Sequence, residues 1–145
     1  MKEEDNILKD KLNRDAMFYR IADINISLTE NKFGVLKDMK KITNPDFQDS
    51  MGNSYLHMAC QSHCIESIRI LLELGANPNI NNIMGFSPIL NAVGSINENN
   101  AEILELMLQY ELNLDKNEGD KTLKEILEQF KNDELNKIIK KYYNN

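Results

Sequence analysis

Apolar residues along this chain come in short bursts at helical spacing, separated by clusters of Gly, Asn, Asp, Ser and Pro. Ile65, Ile68, Leu71 and Leu72 make one stripe, Ile103, Leu106, Met107 and Tyr110 a second, and Leu135, Ile138, Ile139 and Tyr142 a third. A recurrence of three and four residues predicts amphipathic helices. Shorter stripes precede the first and third of these. Leu56, Ala59 and Cys60 mark a helix with a thin face of small side chains, and Ile126, Leu127 and Phe130 mark another. Ser54 supplies an N-cap hydroxyl, Asn99 or Asn100 caps the helix of Ile103, Thr122-Leu123 opens the helix of Ile126, and Asn132 or Asp133 caps the last. Asp49 to Asn53 is turn chemistry with Gly52 suited to a positive φ, while Gly75 closes one helix and Pro78 prevents its restart.

The pattern repeats. Gly52, Ser54, Leu56 and Ala59 return 33 residues later as Gly85, Ser87, Ile89 and Ala92, and Asn44-Pro45-Asp46 returns as Asn77-Pro78-Asn79. Upstream, Val35, Leu36, Met39 and Ile42 lie one period before Ile68, Arg69, Leu72 and Gly75, and Phe18, Ile21 and Ala22 suggest a further helix around Leu12–Asp23. A fixed period of this length marks stacked units, each leaning on its neighbours to bury an apolar face.

Residues 49–81 resemble the ankyrin repeat. Asp49, Gly52, Ser54, Leu56, His57, Ala59, Glu66, Ile68, Leu71, Leu72, Gly75, Ala76, Asn77 and Asn79 fill its pattern or a close substitute. Tyr55 stands where proline is usual, His63 where glycine turns between the helices, and Cys64 where histidine is common. The resemblance implies an all-α ankyrin-repeat solenoid of helix-turn-helix units with β-turn fingers. It divides one domain, 7–143, into an N-terminal cap (7–48), repeats 49–81 and 82–115, and a C-terminal cap (116–143), with frayed ends at 1–6 and 144–145. In the unit at 82–115, Leu90 replaces the histidine, and the connection from Ala92 to Glu102 is three residues longer than that from Ala59 to Glu66.

Composition bounds the function. A net charge of −6 over 145 residues disfavours nucleic acid and anionic membranes and leaves room for a basic protein partner. Apolar runs are too short to span a bilayer, and the acidic start, Met1 to Asp5, does not resemble a signal peptide. Cys60 and Cys64 read as reduced thiols, so the expected compartment is the cytoplasm and the expected state a monomer.

His57, Cys60, His63 and Cys64 are all residue types that ligate zinc, so a metal-binding or thiol-redox module centred on Cys60 and Cys64 is the alternative reading. Against it, the turn at His63 breaks the helix that such a site needs, and Cys60 falls where the family packs alanine. No metal, cofactor or catalytic residue is expected, and the chain does not read as an enzyme.

The resemblance implies binding of another protein on a concave face. Its variable positions map here onto Ser50, Met51, Asn53, Gln61 and Ser62, then Asn81, Ile83, Met84, Phe86, Gly94 and Ser95. Ile83, Met84 and Phe86 crowd one turn tip where solvent favours polar residues. Either they meet a partner, or Met84 or Phe86 folds back over the stack. The stretch Gly94–Asn100 reads as a loop, functional or merely tolerated. Asp115, Glu118 and Asp120 offer carboxylates to a partner's lysines, or form a solvated loop. A small, acidic chain that reads as self-contained suits a stoichiometric inhibitor, for example an immunity protein neutralising a basic toxin, or an adaptor.

Overall fold

The computed structural model describes residues 44–143. The expected N-terminal unit lies outside the described residues apart from 44–48, and with it the helix at Leu12–Asp23 and the stripe of Val35, Leu36, Met39 and Ile42.

Three helix pairs follow one another. α1 (Tyr55–Gln61) and α2 (Ile65–Glu73) form the first, α3 (Pro88–Val93) and α4 (Asn100–Gln109) the second, and α5 (Leu123–Gln129) and α6 (Asp133–Tyr143) the third. Within each pair the helices pack on each other; across pairs α1 packs on α3, α2 on α4 and α4 on α6. The strands β1 (Asn117–Glu118) and β2 (Lys121–Thr122) are antiparallel, pairing Asn117 with Thr122 and Glu118 with Lys121.

Local chemistry accounts for the boundaries. The Ser54 side chain accepts from the His57 amide while the His57 ring accepts from the Ser54 amide, so both orphan donors at the start of α1 are satisfied. Thr122 and Glu125 do the same for α5. At the far end of α2, Gly75 takes φ 97°, and the amides of Gly75 and Ala76 close on the carbonyls of Leu72 and Leu71. His63 is at φ 54°, the left-handed turn that its position in the pattern implied.

One core runs through the stack. Leu56, Ala59, Cys60, Ile68, Leu71, Ile89, Ala92, Ile103, Leu104, Met107, Leu123 and Leu127 are fully or almost fully buried. Small residues on α1 and α3 let those helices approach closely, and larger ones on α2 and α4 fill the outer layer. Leu135 and Ile139 seat α6, which is tied to α4 by Lys141 and Glu105 at 2.8 Å.

Three expectations need correction. Phe130 is not in the core stripe of α5: it is the C-cap residue, 46% exposed, and Leu123 at the helix start is the buried residue instead. Asn99 occupies the N-cap position of α4, but its amide donates to the His63 carbonyl at 2.8 Å rather than capping. Glu118 is not a free carboxylate on the finger row. It is buried, accepts from the Ser87 hydroxyl and pairs with Lys116 at 3.2 Å, leaving Asp115 and Asp120 as the exposed acids of that segment.

Candidate functional site

The turns preceding α1 and α3 are built by one device used twice. Asp49 Oδ1 accepts from the amides of Met51 and Asn53 at 3.0 and 2.9 Å, and Asn82 Oδ1 accepts from Met84 and Phe86, each at 3.0 Å. A short side chain that satisfies the backbone of its own turn leaves the tip residues pointing outward.

The two turns are bolted together. The Ile83 amide donates to the Met51 carbonyl at 2.9 Å, Asn82 Nδ2 donates to Asn53 Oδ1 at 3.1 Å, and Gln48 Nε2 reaches both Gly52 O and Asn81 O. Their approach is so close that a Cβ on Gly52 would stand 2.7 Å from the Ile83 nitrogen. From behind, His57 Nε2 donates to the Phe86 carbonyl at 2.8 Å. Because a carbonyl only accepts, this bond fixes the proton on Nε2 and leaves Nδ1 to accept from Ser54. Burial holds this ring below the usual histidine range, outweighing the Phe86 bond that favours the charged form.

On this frame the apolar tips stand in solvent. Met51 is 53% exposed, Ile83 69%, Met84 66% and Phe86 44%. None of the three residues of the 82–86 turn folds back to bury itself in the stack. The structure brings Met51 and Ile83 together directly, with Met84 and Phe86 on the same turn as Ile83. Ser50 is exposed beside Met51. Asn53 and Asn81 are half-buried and engaged in bracing: Asn53 holds Asn82, and Asn81 donates to the Gly85 carbonyl at 3.2 Å. Gln61 and Ser62 close α1, and Gly94 and Ser95 close α3, so these four lie at the opposite end of the inner helices from the turns. There a second histidine braces the stack, with His63 Nε2 held 2.7 Å from the Ala92 carbonyl.

The four residues of the zinc alternative do not assemble. Both histidines direct Nε2 at carbonyls of the next unit. Cys60 lies in the core with its thiol pushed far above the usual range by burial, and Cys64 accepts from Ser67 at 3.2 Å. Among the described residues no group of His, Cys, Asp and Glu is arranged to hold a metal ion. None of the described helices is long and apolar enough to cross a membrane.

Repeated turns, histidine braces between units and stacked helix pairs match one known architecture, and the model for ankyrin repeats, in three copies, matches residues 24–120. The chain belongs to the ankyrin repeat family. This ankyrin repeat protein is similar to the human ASB11 ankyrin repeat domain in structure, with a TM-score of 0.61 and 18% identity over 82% of this chain and 52% of that one. In sequence it is 32% identical over 96 residues to transient receptor potential cation channel subfamily A member 1 of Homo sapiens, covering 60% of this chain and 8% of the channel protein. It is also 32% identical over 76 residues to a putative ankyrin repeat protein of Acanthamoeba polyphaga mimivirus, covering 52% of this chain and 17% of the viral protein. The chain thus spans only a small part of these sequence relatives.

Ankyrin repeats are generally protein–protein interaction modules. The bracing roles of Asn82 and Gln48 were not legible from periodicity. The signal for Asn82 was the Asn/Asp-x-x-Gly turn itself, whose first side chain bonds the amides of its own turn; no sequence signal marked Gln48.

Proposed function

We propose that this chain binds another protein through its turn tips and the adjoining inner helices, with Met51, Ile83, Met84 and Phe86 at the centre of contact and Ser50, Asn53, Gln61, Ser62, Asn81, Gly94 and Ser95 around them. The observation that carries this reading is the exposure of four large apolar side chains on turns whose backbone is fully braced. The turn needs Asn82 and Gly85, not an isoleucine and a methionine between them. Full burial of such a side chain is worth about 1.5–3 kcal/mol, and an interface that covers these half- to two-thirds-exposed tips recovers the corresponding part of it. Held rigidly, they meet a partner without first being ordered.

A module of this kind acts by occupying its partner. It is either a stoichiometric inhibitor, of which an immunity protein neutralising a toxin is one form, or an adaptor joining two proteins. Buried, reduced thiols at Cys60 and Cys64 suit a reducing compartment such as the cytoplasm.

The test is cross-linking and recovery of the partner from native cells with wild type and with Met84→Asp/Phe86→Asp, helicity being checked by circular dichroism. Loss of the partner from the folded double variant is expected; equal recovery sinks the site. Adding the purified chain in equimolar amount to the recovered partner then separates inhibitor from adaptor by whether the partner's own activity falls.

A further inference from the structure

The charges of this chain are sorted. It carries 40 Asp, Glu, Lys and Arg residues, 28% of its length, yet residues 50–65 and 74–97 contain none. A random placement would put several in each. Those two charge-free windows contain α1, α3, the tip residues of both turns and the start of the α3–α4 connection. The charged residues between them, Glu66, Arg69 and Glu73, all lie on α2, and the run of Glu98, Glu102 and Glu105 that follows leads into and lines α4. Among the described residues, acidic side chains therefore gather outside these windows, on α2, on α4 and the stretch leading into it, and on the last finger.

Among the described residues, the ionisable groups within these two turns and the helices behind them are committed inward, and the exposed acids Asp115 and Asp120 stand on the next finger. Asp49 is half-buried with Oδ1 committed to two amides of its own turn, and His57 is buried with both ring nitrogens bonded, its burial holding the ring below the usual histidine range. From these observations we infer that the partner meets this face with uncharged aliphatic and aromatic side chains, and not with the basic surface that a net charge of −6 suggests. This inference rests on the binding reading above and specifies its chemistry. A lysine or arginine pressed against Met51, Ile83 and Phe86 would lose water and find no free carboxylate among the described residues of these two turns, which is unfavourable. An apolar segment loses nothing by the same move and removes the exposed tips from solvent. Association of this kind is nearly indifferent to salt, whereas pairing of opposite charges weakens as salt screens it.

The probe is a phage-displayed random dodecapeptide library panned on the immobilised full chain, with enriched peptides then synthesised and titrated by fluorescence anisotropy. The expected peptides are rich in aliphatic and aromatic residues and poor in Lys and Arg. Their affinity should change less than about twofold between roughly 0.05 and 0.5 M NaCl, and fall at least about tenfold on Ile83→Asp/Phe86→Asp. Ile83→Ser/Phe86→Ser serves as the second variant if the first loses helicity. Enrichment of Lys- and Arg-rich peptides, or binding that drops tenfold with salt, overturns this inference while leaving protein binding intact. Unchanged affinity in the folded variants, or no enrichment at all on wild type, sinks the binding surface with it. A concentration-dependent dimer that the same variants abolish would assign the face to a second copy and likewise overturn it.

Discussion

The hydroxyl of Ser87 donates to the carboxylate of Glu118, joining residues 31 apart in sequence across the boundary between successive units. Ser87 occupies the N-cap position of α3 but its hydroxyl makes no cap bond; the Leu90 amide closes on the Ser87 carbonyl instead. The hydroxyl is left free to reach outward, and Lys116 Nζ lies 3.0 Å from it and 3.2 Å from Glu118. A carboxylate buried this deeply needs its partners, and the partners need it.

Glu118→Ala should therefore lower stability by about 2 kcal/mol, since it strands a largely buried ammonium group. Ser87→Ala should cost about 1 kcal/mol, and the double variant less than the two together, because the residues share one network. Urea unfolding followed by circular dichroism measures all three. Simple additivity would show that the contact contributes nothing of its own.

Gly52 and Gly85 hold equivalent places in their turns and should not be equally replaceable. Both have positive φ, 76° and 84°, which costs an alanine about 1 kcal/mol. A Cβ at Gly85 meets nothing within 4 Å, whereas one at Gly52 meets the Ile83 nitrogen at 2.7 Å and Asn82 Cα at 3.0 Å. Gly52→Ala should lose roughly 2–3 kcal/mol by also pushing the two turns apart, and Gly85→Ala only the smaller part. Equal unfolding midpoints would contradict the close approach.

Stability should fall with acid in part through His57. Its ring is held below the ordinary value chiefly by burial. The folded state thus binds fewer protons than the unfolded chain as pH drops below about 6.5, and unfolding becomes easier over that range until the folded ring itself titrates. Urea midpoints at about pH 7.5 and 5.5 should separate more for wild type than for His57→Gln. The glutamine variant should be weaker at the higher pH, having lost the ring that ties Ser54 to Phe86.

Cys60 should resist alkylation in the folded protein, because burial raises its thiol and keeps the thiolate scarce. Cys64 is almost as enclosed. Iodoacetamide labelling read by mass spectrometry should find both unmodified without denaturant and both modified in about 6 M guanidinium. Fast labelling of the native chain would reopen a thiol role.

Much of this fold was legible in the chain because its units are local. The stripes of α2, α4 and α6, the caps at Ser54, Thr122 and Asn132, and the turn at Gly52 are set by residues a few positions apart. The failures share a cause: they depend on another unit. Phe130 lies at helical spacing from Leu127, yet α5 ends there and leaves its ring 46% exposed. Glu118 reads as a loop acid until the Ser87 hydroxyl one unit back is placed beside it. Glu111 gave no glycine signal, yet it takes φ 71° just beyond α4, where the Leu112 amide closes on the Met107 carbonyl as Ala76 does on Leu71. The candidate surface was legible as a set of positions. Its freedom from charge is written in the same residues, and the structure adds that the two charge-free stretches form neighbouring turns and the helices behind them.

The long connection between α3 and α4 leaves Ile96 wholly in water while Asn99 and Asn100 anchor the loop to His63 and Ser95. With both native thiols enclosed, Ile96→Cys creates one attachment point for a fluorophore without removing either cysteine. The molecule thus comes with a convenient handle, well away from the turn tips, from which its encounters can be watched.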